Sequence, residues 1–277
     1  MTKVALLGTG LMGAGMGRSM ARAGLDLTVW NRSPDKARAV GVPVADDPAS
    51  AVRDADVVVT MLFGFESVAQ VMTEALPAMR PDAVWLQTTT VGLEETTRLA
   101  ELCAKHGVSF VDAPVSGTRQ PAESGELTVL AAGRPDERLT PVLDAISAKV
   151  VWVGERPGDG HRLKLVSNAW VLSVVAGTAQ SVALSQALGI DPKLFLDLIA
   201  GGPLDSGYAQ AKARAMLKGD FTPAFALGGA AKDALLIQEA AAESGVDTTL
   251  VAAMARLFGS AGDPEDDMAA VIRALRP

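Results

Sequence analysis

From residue 3 to about residue 153, short apolar, β-branched runs alternate with stretches of helical periodicity. Candidate strands are 3–7 (KVALL), 25–30 (LDLTVW), 56–62 (DVVVTML), 83–88 (AVWLQT), 108–112 (VSFVD), 127–131 (LTVLA) and 149–153 (KVVWV). Strands alternating with helices predict βαβ units, and near-continuous apolar strands predict a mostly parallel sheet covered on both faces. After Gly160 the strand-like runs stop, and one helical pattern extends from about His161 to Leu188 until Gly189, Asp191 and Pro192 supply a stop and a new start. Further helices are predicted at 191–200, 206–218, 228–244, 246–260 and 264–275. The expected fold class is therefore α/β: an N-terminal doubly wound sheet over 1–158, then an all-α part over 159–277 opened by a long interdomain helix at about 160–189.

Length and composition narrow the class. A chain of 277 residues with 49% hydrophobic content can bury a substantial core and is long enough for two domains. Its 25 basic and 32 acidic residues give a net charge of −7, the wrong sign for a protein that grips a nucleic-acid backbone, and no Lys/Arg run offsets it. The lone Cys103 allows no internal disulfide and no CxxC pair, which fits a reducing, cytoplasmic setting. Lys3, the apolar stretch from Val4 to Met16 and Ala21-Arg22-Ala23 imitate a signal peptide, but five glycines between Gly8 and Gly17 and the interrupting Arg18 favour a strand and glycine loop. No other apolar run is read as long enough to span a bilayer, so no membrane partner is expected.

The segment KVALLGTGLMG carries Gly8, Gly10 and Gly13, with Leu11 and Met12 between them, directly after a strand and opening a helix. In a dinucleotide-binding turn these glycines serve a tight turn, close backbone approach to a pyrophosphate, and close helix–strand packing. The second candidate strand ends at Trp30, where an NAD-selective fold places an acidic residue; here Asn31, Arg32 and Ser33 stand instead. Arg32 can pair with a 2′-phosphate and Ser33 can donate to it, so NADP is expected over NAD. Ser33-Pro34-Asp35 also reads as an ordinary helix start, and both readings can hold together.

Two later stretches carry candidate chemistry. In DAPVSGTRQPAESGELTVLAAG, Ser116 and Gly117 follow a strand, where ligands of open α/β sheets sit, although the same residues equally suit a plain turn. In the long helix Lys164 and Asn168 are four residues apart and share a face, with His161 three residues before the lysine. A helical lysine is ordinarily a solvated one. Lys232-Asp233, within AFALGGAAKDALL, is a charged pair among small and apolar neighbours.

Four segments together, GTGLMGAGM, DAPVSG, GDGHRLKLVSN with its G-x-G-x-x-x-K-x-x-x-N spacing, and KDALL, resemble the β-hydroxyacid dehydrogenase family in kind and order. The resemblance implies a Rossmann domain followed by a helical domain, with the active site in the cleft between them. It also implies that Lys164 is the catalytic residue, Asn168 its partner, and Ser116, Gly117 and Thr118 the site of the substrate carboxylate. Thr90 matches a threonine beside the nicotinamide, Leu62 a backbone contact to the cofactor, Lys232 a cofactor-contacting lysine, and Phe225 and Asp233 residues of the pocket. A small carboxylate-bearing substrate and a homodimer or homotetramer are implied as well.

The chemistry has its own logic. Hydride reaching a carbonyl carbon leaves negative charge on oxygen that a cation stabilises and a donor protonates, and a lysine screened from water serves both needs. His161 is the other candidate acid, but the spacing favours Lys164. The sequence departs from the family's VSGG: Thr118 takes the third-position glycine, and Pro121-Ala122 stand in a later small pair. That variant, with NRS after the second strand, resembles the NADPH-using glyoxylate/succinic semialdehyde reductase branch more than 3-hydroxyisobutyrate or tartronate semialdehyde enzymes. The competing readings are an imine reductase, which shares the fold but generally lacks the lysine, and a non-catalytic NADP-binding protein.

Overall fold

The computed structural model describes residues 2–275. The chain divides into two compact units, one ending at Lys164 and the other beginning at Leu165.

In the first unit, strands Lys3–Leu7 (β1), Asp26–Trp30 (β2), Val57–Thr60 (β3), Val84–Gln87 (β4), Ser109–Asp112 (β5), Val115–Ser116 (β6), Leu127–Ala132 (β7) and Ser147–Gly154 (β8) form one sheet. Its order is β2-β1-β3-β4-β5-β7-β6, with β8 on β7. The pairs from β2 through β5 are parallel, β7 runs antiparallel to β5 and β6, and β8 returns parallel to β7. The two-residue β6 is absent from the sequence reading, because a strand that short has no period to detect.

Helices Leu11–Arg22 (α1), Pro34–Arg38 (α2), Pro48–Val52 (α3), Phe65–Ala75 (α4), Leu93–Ala104 (α5), Arg119–Ser124 (α6) and Thr140–Ile146 (α7) cover the sheet. Strand β1 shows why both faces need cover. Val4 and Leu6 pack with Met16 and Met20 of α1 on one side, while Ala5 and Leu7 pack with Phe65, Val68 and Met72 of α4 on the other. The successive side chains of a strand point to opposite faces, so an unbroken apolar run feeds two cores at once. The apparent signal peptide is β1 and α1.

Helix Asp159–Ala187 (α8) is continuous through the division between units. The second unit is helical: the rest of α8, Pro192–Ile199 (α9), Gly207–Lys218 (α10), Leu227–Glu243 (α11) and Thr249–Ser260 (α12). The helix expected over 264–275 is instead a 3₁₀ segment at Met268–Leu275, whose Met268 through Ile272 are buried. Asp267 closes the start of the segment: its Oδ1 accepts from Ala269 N–H (2.9 Å) while its Oδ2 accepts from Ala224 N–H (2.9 Å).

The expectation that no further run is long and apolar enough for a bilayer is corrected by α8. Its Ala, Gly and Ser content hides a window of mean hydropathy 1.3 in a helix of 29 residues, although 44% of that window is buried in the molecule.

Candidate active site

The loop after β1 is built for close approach. Gly8 has φ +105°, and a Cβ there would stand 2.2 Å from Met61 O; a Cβ on Gly13 would stand 2.1 Å from Gly8 O. Gly10 differs, because a Cβ on it would meet nothing within 4 Å, so its side of the loop is open. It caps α1 without a side chain, leaving the first backbone N–H groups of the helix, from Leu11 onward, aimed outward. Thr9 adds a buried hydroxyl with no partner. These features fit the pyrophosphate of a dinucleotide.

Asn31 ties this loop to the end of β2: its Oδ1 accepts from Thr9 N–H (3.1 Å) and its Nδ2 donates to Ser33 O (3.1 Å). Arg32 and Ser33 are exposed. Ser33 occupies the N-cap of α2 with Pro34 next, yet its hydroxyl makes no capping bond. Among the described residues Arg32 forms no ion pair.

Beyond β3 and β4 a buried polar network holds the backbone. Trp85 Nε1 donates to Thr60 Oγ1 (2.9 Å), Gln87 Nε2 donates to Thr89 O (2.8 Å), and Gln87 Oε1 accepts from Thr89 N–H (2.8 Å). Leu62 N–H donates to Thr89 Oγ1 (2.8 Å), so the backbone contact implied for Leu62 is left to its carbonyl. Thr90 follows directly.

The largest addition to the sequence reading is Asp112, at the end of β5. Its Oδ2 accepts from the N–H groups of Gly158 (2.9 Å) and His161 (3.2 Å), and its Oδ1 contacts His161 Nδ1. Both side chains are fully buried. The other edge of the imidazole reaches the next loop: Nε2 lies 3.1 Å from Val91 N–H and 3.1 Å from Thr89 O. A proton on Nδ1, facing the carboxylate, leaves Nε2 to accept from Val91. Both ring nitrogens are thereby engaged, which removes His161 as a candidate acid. Gly160 belongs to the same joint, since a Cβ there would stand 2.3 Å from Leu130 O and 3.1 Å from Asp112 Oδ2. The start of α8 is thus seated on the ends of β5 and β7, and one turn on stands the buried Lys164.

Ser116 ends β6 and is half-buried, and Thr118 occupies the N-cap of α6. A Cβ on Gly117 would stand 2.6 Å from Leu127. The departure at Pro121-Ala122 has a packing reason: Ala122 is buried against Gly15 of α1. Arg18 and Glu123 pair bidentately beside it, at 2.5 and 2.7 Å.

In the second unit Asn168, one turn after Lys164 on α8, is buried and donates from Nδ2 to Asp233 Oδ2 (2.5 Å). Lys232 Nζ lies 2.8 Å from Asp233 Oδ1, close enough for an ion pair, while that oxygen makes no aligned hydrogen bond. With Nδ2 committed to the carboxylate, Asn168 presents Oδ1 as its acceptor. Phe225 is held through its backbone, its N–H donating to Asp267 Oδ2 (3.2 Å). Asp267 in turn accepts from the buried Lys212 Nζ (2.5 Å). Neither Asp112 nor Asp267 stood out in the sequence, where Asp112 only ends an apolar run and Asp267 only precedes one.

The chain is similar to known proteins over nearly its whole length. The model of the NAD binding domain of 6-phosphogluconate dehydrogenase matches residues 3–154, and that of the NAD-binding region of NADP-dependent 3-hydroxyisobutyrate dehydrogenase matches residues 158–275. Glyoxylate/succinic semialdehyde reductase 2, chloroplastic, of Arabidopsis thaliana is 30% identical over 99% of this chain and 79% of its own length. L-threonate dehydrogenase of Cupriavidus necator is 31% identical over 98% of this chain and 95% of its own. The crystal structure of 3-hydroxyisobutyrate dehydrogenase from Salmonella typhimurium superposes with a TM-score of 0.89 at 27% identity, covering 99% of both chains. The chain belongs to the β-hydroxyacid dehydrogenase family, NAD(P)-dependent oxidoreductases acting on CH–OH groups.

Proposed function

We propose that this protein reduces a small aldehyde acid, such as glyoxylate or succinic semialdehyde, to the hydroxy acid with NADPH, and that Lys164 is the acid that protonates the nascent alkoxide. The observation that carries the reading is a buried lysine one turn from a buried asparagine, on a helix whose first turn is locked by Asp112. A lysine on a surface helix does not ordinarily sit there.

The bound nicotinamide supplies the hydride. Gly8, Gly10 and Gly13 with the N–H groups of Leu11 and Met12 hold the pyrophosphate, and Thr90, the Leu62 carbonyl and Lys232 complete the cofactor contacts. The exposed Arg32 and the uncommitted Ser33 hydroxyl support a 2′-phosphate and hence NADP. Ser116 with the backbone N–H groups of Gly117 and Thr118 hold the substrate carboxylate. As the carbonyl carbon gains hydride, the Lys164 ammonium stabilises the oxygen and gives it a proton. Asn168 Oδ1 accepts from the lysine and keeps it aimed, and Asp233 fixes the amide that does so. Phe225 and Asp233 line the pocket.

A second reading is oxidation of a hydroxy acid by the same residues in reverse, and the 31% identity to an L-threonate dehydrogenase favours it. A panel of glyoxylate, succinic semialdehyde, tartronate semialdehyde, methylmalonate semialdehyde, L-threonate, 3-hydroxyisobutyrate and one cyclic imine, run with both cofactors, tests both. Turnover of the cyclic imine alone, or of nothing with tight NADPH binding, rejects them.

A further inference from the structure

Helix α11 carries two adjacent glycines, Gly228 and Gly229, in its first turn. Glycine weakens a helix relative to alanine, so each needs a local reason. For Gly228 the reason is the neighbouring chain, since a Cβ there would stand 2.9 Å from Pro264 Cβ. For Gly229 it is an aromatic ring: a Cβ would stand 3.1 Å from Cε2 and 3.6 Å from Cδ2 of Phe225.

The side of the helix matters as well. Gly229 lies three residues before Lys232 and four before Asp233, so the three share one face of α11. The Phe225 ring therefore rests on the face that carries the buried Asp233, one turn ahead of the carboxylate to which Asn168 donates. Glycine lets the ring lie back on the helix, and any side chain at that position holds it off.

The ring can give way only by turning about its own bonds, because the backbone beneath it is clamped. Phe225 N–H donates to Asp267 Oδ2 (3.2 Å), Ala224 N–H donates to the same oxygen (2.9 Å), and Phe225 O accepts from Met268 N–H (2.8 Å). Just beyond, Leu227 N–H donates to Asp266 O (2.7 Å). Asp267 is fixed in turn by Lys212, whose Nζ stands 2.5 Å from Oδ1, and both residues are buried.

We infer that Gly229 is a positioning residue that sets, through the Phe225 ring, the length of aldehyde acid the enzyme accepts. The inference rests on the proposed place of Phe225 in the wall of the substrate pocket. With the ring drawn back on α11, the pocket takes an acid longer than glyoxylate, whose added methylenes pack on the ring. Succinic semialdehyde has such methylenes between its carboxylate and its carbonyl carbon, and glyoxylate has none. A side chain at position 229 moves the ring forward into the space those methylenes occupy, and one methylene in an apolar pocket is worth about tenfold or more in discrimination.

The full-length enzyme is tested as Gly229→Ala, Gly229→Leu, Phe225→Ala and the double variant Gly229→Ala/Phe225→Ala, with kcat/KM for succinic semialdehyde divided by kcat/KM for glyoxylate as the readout. Alanine and leucine are better helix formers than glycine, so the thermal transition should be retained. Gly229→Ala should lower the ratio about tenfold, and Gly229→Leu further, with NADPH affinity within about twofold of wild type. In the Phe225→Ala background Gly229→Ala should leave the ratio within about twofold, because the group it acts through is gone. A ratio moved by Phe225→Ala but by neither Gly229 variant overturns this inference alone, and so does a Gly229→Ala effect that persists without the ring. A wild type that reduces glyoxylate but not succinic semialdehyde contradicts it too. A ratio indifferent to Phe225→Ala, or turnover of neither acid, removes the reading of the pocket and the inference with it.

Discussion

Asp112 and His161, 49 residues apart, are paired side chain to side chain in the interior of the first unit, and His161 also reaches the backbone of Thr89 and Val91. One strand end, one loop and the first turn of α8 are joined by two residues. Asp112→Ala strands the buried donors that its carboxylate serves, on Gly158 and His161, at about 1–3 kcal/mol for each left unsatisfied, and denaturant unfolding should show a loss of at least that size. His161→Ala should lower kcat about 10- to 100-fold while NADPH affinity stays within about threefold, since a small misplacement of Lys164 is enough. An unchanged kcat would show that the joint does not position the lysine.

Arg32 is the residue on which cofactor choice rests. Loss of one charge-assisted contact costs ~1.5–3 kcal/mol, so Arg32→Ala should raise the KM for NADPH about 10- to 100-fold. The KM for NADH should stay nearly constant. Equal losses with both cofactors would mean that Arg32 does not read the 2′-phosphate.

Asp267 ties stability to pH. Burial pushes its carboxyl upward, but the hydrogen bond from Lys212 and those from the N–H groups of Ala269 and Ala224 outweigh it and hold the group below the usual carboxylate range. A carboxyl depressed in the folded state stabilises above its unfolded pKa, ~3.9, and loses that contribution as pH falls through the folded value. Asp267→Asn should therefore be much less stable than wild type at neutral pH, and the gap should narrow as the medium is acidified below about pH 4. Urea midpoints measured across that range check it; a gap independent of pH would assign Asp267 a purely steric role.

Much of this was legible from residues alone, and the limits have physical causes. The strands through β5 were readable because both of their faces are buried, which writes the strand as an unbroken apolar run. The glycine loop was readable because each glycine answers a separate steric need. Strand β6 was too short to show a period. The last helix winds as 3₁₀, and over so few residues its apolar spacing does not differ from that of an α-helix. Asp112 lay inside a motif noticed for its serine and glycine, and His161 looked like a rival to Lys164, whereas the fold uses it as the strut that seats the lysine's helix.

The central claim is that Lys164 protonates the carbonyl oxygen as hydride arrives. The direct measurement is kcat of Lys164→Ala on an aldehyde acid that the wild type reduces, with NADPH affinity read in parallel by fluorescence titration. Loss of a positioned acid predicts a fall of about 100- to 10,000-fold in kcat with NADPH affinity nearly unchanged. Turnover equal to wild type on the same substrate would contradict the account.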